Sequence, residues 1–366
     1  MYGCMIRVTS TIQMRRSIFA LAVGALLLAT APMRAEELVY ARFADYLEAL
    51  RIQMGIPGLS AAIVGRTDVL WERGFGYQDV ARALPMRPDT PVPLDGITQT
   101  LTATTVLRCA EDNRLALDDT LGNFARGLSD PGATIRQALS HTSGPASAPI
   151  FSYRPERIDA LAPAVKACEG NSYRETISTL LDRLAMANSV PGMDIVTLES
   201  PAEGLPTPIE AAQYASTLER LAVPYAVDGS RRAVPAQFSA FTLTPSTGLI
   251  STVRDYAQFD IALRGGILVK PETLAAAWRV PADSAGRPLP HGLGWFVQAY
   301  NSDTVVWQFG TGGESGSSSM VVTLPARGVS LILAANSADL VKSFPLDKGD
   351  VTTSPFARIF LALFTR

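Results

Sequence analysis

Between Gly294 and Ala335 four strand-like runs follow one another with only turns between them: Gly294 to Tyr300, Thr304 to Phe309, Ser317 to Thr323 and Gly328 to Ala335. Connections this short join antiparallel neighbours. A second pair, Gly58 to Val64 and Val69 to Tyr77, meets at the turn Arg66-Thr67-Asp68 and reads as a hairpin. An amphipathic helix over 37–54 precedes it, with Phe43, Leu47, Leu50 and Met54 at helical spacing. A last helix carries Phe356, Ile359, Phe360 and Leu363 on one face. From Leu121 to about Pro245 the chain reads as helices and long loops bearing Pro and Gly. This order is an α+β layout. It predicts an antiparallel sheet domain from residues 36–120 and 246–366, flanked by the N- and C-terminal helices. Residues 121–245 form an inserted helical lobe, and a ligand cleft is expected between lobe and sheet.

The 366 residues suffice for one large domain or two intimate ones. At 47% hydrophobic and 18% charged the chain is globular, not disordered. The net charge of −2 and the lack of basic–aromatic alternation exclude nucleic acid as an expected partner.

Met14-Arg15-Arg16 followed by the apolar stretch Ile18 to Thr30 reads as an export signal. Cleavage after Ala35 would leave Glu36-Glu37 at the new end, making 1–35 the signal peptide; a start at Met14 gives it standard proportions. The other reading is an uncleaved anchor, for which the apolar run is short. A periplasmic or secreted chain with no transmembrane span after cleavage is expected. Cys4 leaves with the signal. Cys109 and Cys168 stay, either as a disulfide or, on the plainer reading, as buried small hydrophobes. Neither cysteine has a histidine nearby, so no metal is expected, and no motif points to an organic cofactor.

A helix starting near Gly96 runs to about Asp112 and ends at Asn113, a residue that tolerates a left-handed turn. Its sequence, GITQTLTATTVLRCAEDNRLALDD from Gly96 to Asp119, resembles the nucleophile helix of the serine β-lactamase and penicillin-binding-protein-like superfamily, especially its class C and esterase-like branch. IRQALSHTSG (Ile135 to Gly144), TPSTGLISTVRDYAQF (Thr244 to Phe259), GLGWF (Gly292 to Phe296) and the run Thr311 to Asn336 carry the same resemblance. It implies the β-lactamase/transpeptidase-like fold over most of the chain.

That family uses a Ser-x-x-Lys helix start, a Tyr-x-Asn segment and a Lys-Thr-Gly or His-x-Gly strand around one cleft. Here the resemblance places Gly96 at the serine, Gln99 at the lysine and Tyr153 at the tyrosine. Pro155 stands for the asparagine and Gly310 for the strand cation, while Thr311 and Gly312 match. Gly96 has no side chain and the amide of Gln99 accepts no proton near neutral pH. An exported pseudoenzyme is therefore implied, with Gly96, Gln99, Tyr153, Thr311 and Gly312 as cleft residues. A peptidoglycan-derived peptide or other small ligand is the implied occupant, by analogy alone.

The rival is an active β-lactamase, esterase or peptidase using relocated groups, which requires a Ser or Thr hydroxyl beside a base in the cleft. A third reading makes the helical lobe the important surface. Thr98, Thr100 and Thr102 read as packing and capping groups. His141 reads as a loop anchor, and His291 as a surface or turn residue.

Overall fold

The computed structural model describes Met1 and residues 35–142, 150–197, 206–238, 241–283, 285–313 and 316–365. The expected signal lies outside the described residues except for Met1 and Ala35, as do Ser143 and Gly144 of the resemblance. Phe43–Arg366 forms one compact unit; the described part of the other, Met1–Arg42, is Met1 and the start of helix α1, Ala35–Met54.

In the larger unit a seven-stranded antiparallel sheet is built from β1 (Gly58–Val64), β2 (Val69–Asp79), β3 (Leu84–Pro85), β9 (Phe296–Tyr300), β10 (Asp303–Thr311), β11 (Ser318–Leu324) and β12 (Val329–Ala335). The order β3-β2-β1-β12-β11-β10-β9 places the C-terminal hairpins against the N-terminal one through β1 and β12, from Leu59 opposite Ala335 to Val64 opposite Ser330. Strands β1, β11 and β12 are buried along every residue, so both faces of the sheet centre are covered and their few polar residues are small hydroxyls. On one face Phe43 of α1 meets Trp71 edge-on at 5.6 Å and Phe364 of the last helix, α9 (Pro355–Phe364), at 6.3 Å.

Helix α2 (Thr98–Glu111) enters through a 3-10 turn, Asp95–Ile97, and is buried from Thr98 to Leu107. It stops at Asn113, whose φ of 56° is the left-handed turn. The middle segment supplies α3 (Ile135–Leu139), α4 (Ala162–Glu169), α5 (Tyr173–Arg183) and α6 (Pro208–Glu219). Ser172 and Glu175 close a capping box at the start of α5. The same segment also carries short strands. Val190–Pro191 (β5) joins Val92–Pro93 (β4) and Leu249–Ser251 (β8), and Tyr225–Val227 (β6) pairs with Ala233–Pro235 (β7). Tyr225 N–H donates to Asn336 O at 2.9 Å, tying this part of the segment back to the end of β12. Helix α7 (Val253–Arg264), capped by Thr252, packs on β1 and β12, and α8 (Pro271–Ala277) follows.

Cys109 of α2 and Cys168 of α4 form a disulfide with Cα atoms 6.2 Å apart. This replaces the plainer reading of two free buried thiols: residues 59 apart in sequence give no distance until the two helices pack. Among the described residues no helix is long and apolar enough to cross a membrane.

Candidate functional site

The N-terminus of α2 meets the end of β10 through two glycines. A Cβ on Gly96 would lie 2.5 Å from Phe309 O. A Cβ on Gly310 would lie 2.2 Å from Leu94 O and 2.7 Å from both Gly96 N and Ser319 Oγ. These distances are well inside van der Waals contact, so at both positions the space where the first carbon of a side chain would stand is taken, chiefly by backbone. Ser319 of β11 and Ser317 before it fasten this approach. Ser319 Oγ donates to Leu94 O at 2.6 Å, and Ser317 Oγ, just ahead of the strand, donates to Asp95 Oδ2 at 2.8 Å.

Beside the glycines runs a chain of hydrogen bonds. Arg154 N–H donates to His141 Nδ1 (3.3 Å), which leaves Nε2–H to donate to Gln99 Oε1 (3.0 Å). Gln99 Nε2 donates to the Tyr153 hydroxyl (3.0 Å), and that hydroxyl donates to Gln308 Oε1 (3.3 Å). Gln308 Oε1 also takes Phe309 N–H (3.0 Å), and its Nε2 donates to Gly294 O (3.3 Å). The Tyr153 ring is held between His141, Phe296 and Phe309 at centroid distances of 4.6, 5.0 and 5.3 Å.

The arrangement is neutral throughout. Burial pushes the His141 imidazole well below its usual range, helped by the neighbouring His291, and pushes the Tyr153 phenol up. His291 is fully buried, which corrects its reading as a surface or turn residue. Its ring stands edge-on to His141 at 4.6 Å, Nδ1–H donates to Gly292 O at 2.9 Å, and burial lowers it to about 3. The GLGW turn carries it inward beneath Phe151 and Phe296, a packing that a lone His-Gly pair does not signal.

The structure thus brings Gly96, Gln99, Tyr153 and Gly310 together. Thr311 and Gly312 lie on an exposed rim with Gly313, whose N–H donates to Thr311 Oγ1 at 3.3 Å. Pro155 opens a 3-10 segment, Pro155–Leu161, where its missing N–H is harmless. Arg154 points its side chain to solvent, 3.9 Å from Glu156, and does not fill the cleft. Thr98, Thr100 and Thr102 are buried and bond Asp95 O, Ile97 O and Pro245 O, each at 2.7 Å. Cys109, Cys168 and Glu169 lie close enough to share an ion, but the disulfide offers no thiolate and Glu169 is paired with Arg108 at 2.8 Å.

Sequence reasoning missed Gln308, Asp95, Ser317 and Ser319. Gln308 was visible as a lone amide inside an apolar strand, and the serines as a polar start to another. Asp95 sits at φ 48° with its carboxyl buried, which raises it to about 7 against the bond from Ser317. With the folded value above the unfolded one, its stabilising share is complete below about pH 4 and is lost as pH rises through about 7. Asp95→Asn keeps an acceptor for Ser317 and tolerates the positive φ. It is expected to gain on the order of 2 kcal/mol relative to the parent on going from about pH 5 to about pH 8. Denaturant unfolding of both proteins at the two pH values measures this, and a pH-independent difference refutes it. The depressed histidines act oppositely, losing stability as pH falls below about 6.5, and cancel between the two proteins.

The sheet, the α2 turn and the Tyr153 segment define the class of serine β-lactamases and penicillin-binding proteins. The Beta-lactamase family profile matches residues 43–351, and this chain belongs to that family. Protein flp of Staphylococcus aureus (strain NCTC 8325) is 32% identical over 95 residues, 24% of this chain and 19% of flp. The Bos taurus serine beta-lactamase-like protein LACTB, mitochondrial, is 25% identical over 107 residues, 27% of this chain and 19% of LACTB. The alignments therefore span about a fifth of these curated relatives. Among solved structures, the octameric penicillin-binding protein homologue from Pyrococcus abyssi superposes with a TM-score of 0.70 at 20% identity, over 88% of this chain and 77% of that one. A class C beta lactamase from Rhodobacter sphaeroides gives 0.65 at 15% identity, over 88% and 98%. At these identities the likeness is one of fold.

Proposed function

We propose that this chain is an exported, non-catalytic member of the β-lactamase family that holds a ligand or partner at the mouth of the ancestral cleft. The contact between Gly96 and Gly310 carries this reading, because neither residue has a side chain to supply a nucleophile or a cation and backbone takes the space of the first carbon of one. The neutral Gln99–Tyr153–Gln308 chain supports it, since no member is poised to take a proton. The Cys109–Cys168 disulfide supports an oxidising compartment. The exposed Thr311–Gly313 rim is the surface left for a ligand, and a peptidoglycan-derived peptide is the candidate by family analogy.

One observation favours the rival. Ser317 Oγ and Asp95 form a hydroxyl–carboxylate pair whose carboxyl titrates near neutrality. Against it, Ser317 is fully buried and its hydroxyl is the donor, leaving no surface for an acyl group to reach. Intact-mass analysis after incubation with a penicillin and an activated ester, beside hydrolysis of a chromogenic β-lactam, separates the two. No adduct and no turnover are expected. An adduct mapped to Ser317, or turnover lost in Ser317→Ala, overturns the proposal.

A further inference from the structure

Behind the wall that holds His141 lies a groove of about 550 Å³, between the 134–142 segment and the chain leaving α8. It shares that wall with the cleft, since Ser140 and Thr142 flank His141, but none of Gly96, Gln99, Tyr153, Pro155 and Gly310 lines it. Its volume falls in the range of small-molecule sites.

The groove's chemistry is specific. Leu289, Leu293 and Pro281 give it an apolar side, and Val280 is left 41% exposed there. The hydroxyls of its floor answer each other: Ser140 and Thr142 are hydrogen-bonded at 2.8 Å. None of the buried polar atoms without a partner belongs to its lining, so it makes no demand for a sugar-like ligand with many hydroxyls. Two cations reach it. Arg136 is held by Asp118 at 2.8 Å, whereas among the described residues no carboxylate pairs with Arg279, the neighbour of Val280. The groove therefore offers one uncompensated positive charge beside uncovered apolar surface.

We propose that this groove binds a small hydrophobic carboxylate, with the apolar body on Val280, Leu289 and Leu293 and the carboxylate on the Arg279 guanidinium. An Arg fork suits that group bidentately. The proposal stands whether or not the ancestral cleft is catalytic.

Titration calorimetry of the whole protein with octanoate, octanol and octylammonium tests it. Octanoate is expected to bind about tenfold or more tightly than octylammonium, with octanol between them. Arg279→Glu and Val280→Asp change exposed side chains and are expected to keep the parent's unfolding temperature. Arg279→Glu should weaken octanoate at least about tenfold while sparing octanol, and Val280→Asp should weaken both. Equal affinity for octanoate and octylammonium, no detectable octanoate binding, or octanoate affinity unchanged in both variants overturns the proposal.

Discussion

Installing the motif residues that the family resemblance implies, with Gly96→Ser, Gln99→Lys and Gly310→Lys together, is expected to yield a less stable protein with no acyl transfer. The reason is steric before it is chemical. The first carbon of any side chain at position 310 would sit 2.2 Å from Leu94 O, and at position 96 it would sit 2.5 Å from Phe309 O. Those are backbone atoms of a helix start and a strand, so relief requires α2 and β10 to separate. That separation would pull on the Ser319–Leu94 and Ser317–Asp95 bonds. Overpacking of this kind costs about 1–3 kcal/mol per site, and position 310 belongs at the upper end. Gly310→Ala alone is the sharper test, because a methyl group carries the whole collision. A fall in unfolding temperature of roughly 3–5 °C is expected. An unchanged midpoint would mean that the glycine contact is slack and that position 96 has room for a side chain.

Removing the disulfide is the second large effect. Cys109→Ala with Cys168→Ala opens a loop of about 60 residues, and closing such a loop is worth about 4 kcal/mol in the chain-entropy view. The tether joins α2, on which Gly96 and Gln99 depend, to the end of α4. Glu169 beside it is already held by Arg108 and Arg114, at 2.8 and 3.4 Å, so part of the local geometry survives. The double variant, and the parent protein under strong reductant, should both unfold at clearly lower denaturant concentration. Equal midpoints with and without reductant would show the bond to be dispensable and would remove its support for export.

The strand groups, the terminal helices and the start of α2 were legible because each is written locally, in a period of two or 3.6 and in turn residues such as Asn113. The family resemblance followed from segments lying in one stretch each. The site was legible only as a set of absences at Gly96, Gln99, Pro155 and Gly310. What fills those absences is non-local: Gln308 reaches Tyr153 across 155 residues, and Ser317 reaches Asp95 across 222. No periodicity reports such meetings. His291 misled for the same reason, since a histidine before a glycine looks like a turn until the Phe151, His141 and Phe296 rings close over it.

The run of bonds from Arg154 to Gly294 has one direction: every donor passes its hydrogen the same way, and both ends are main chain. Two of its links are carboxamides, which neither take up nor release a proton at ordinary pH. A proton relay works by each member accepting on one side while releasing on the other, and this run stops at its first amide. The run is an insulator, with its local dipoles aligned head to tail.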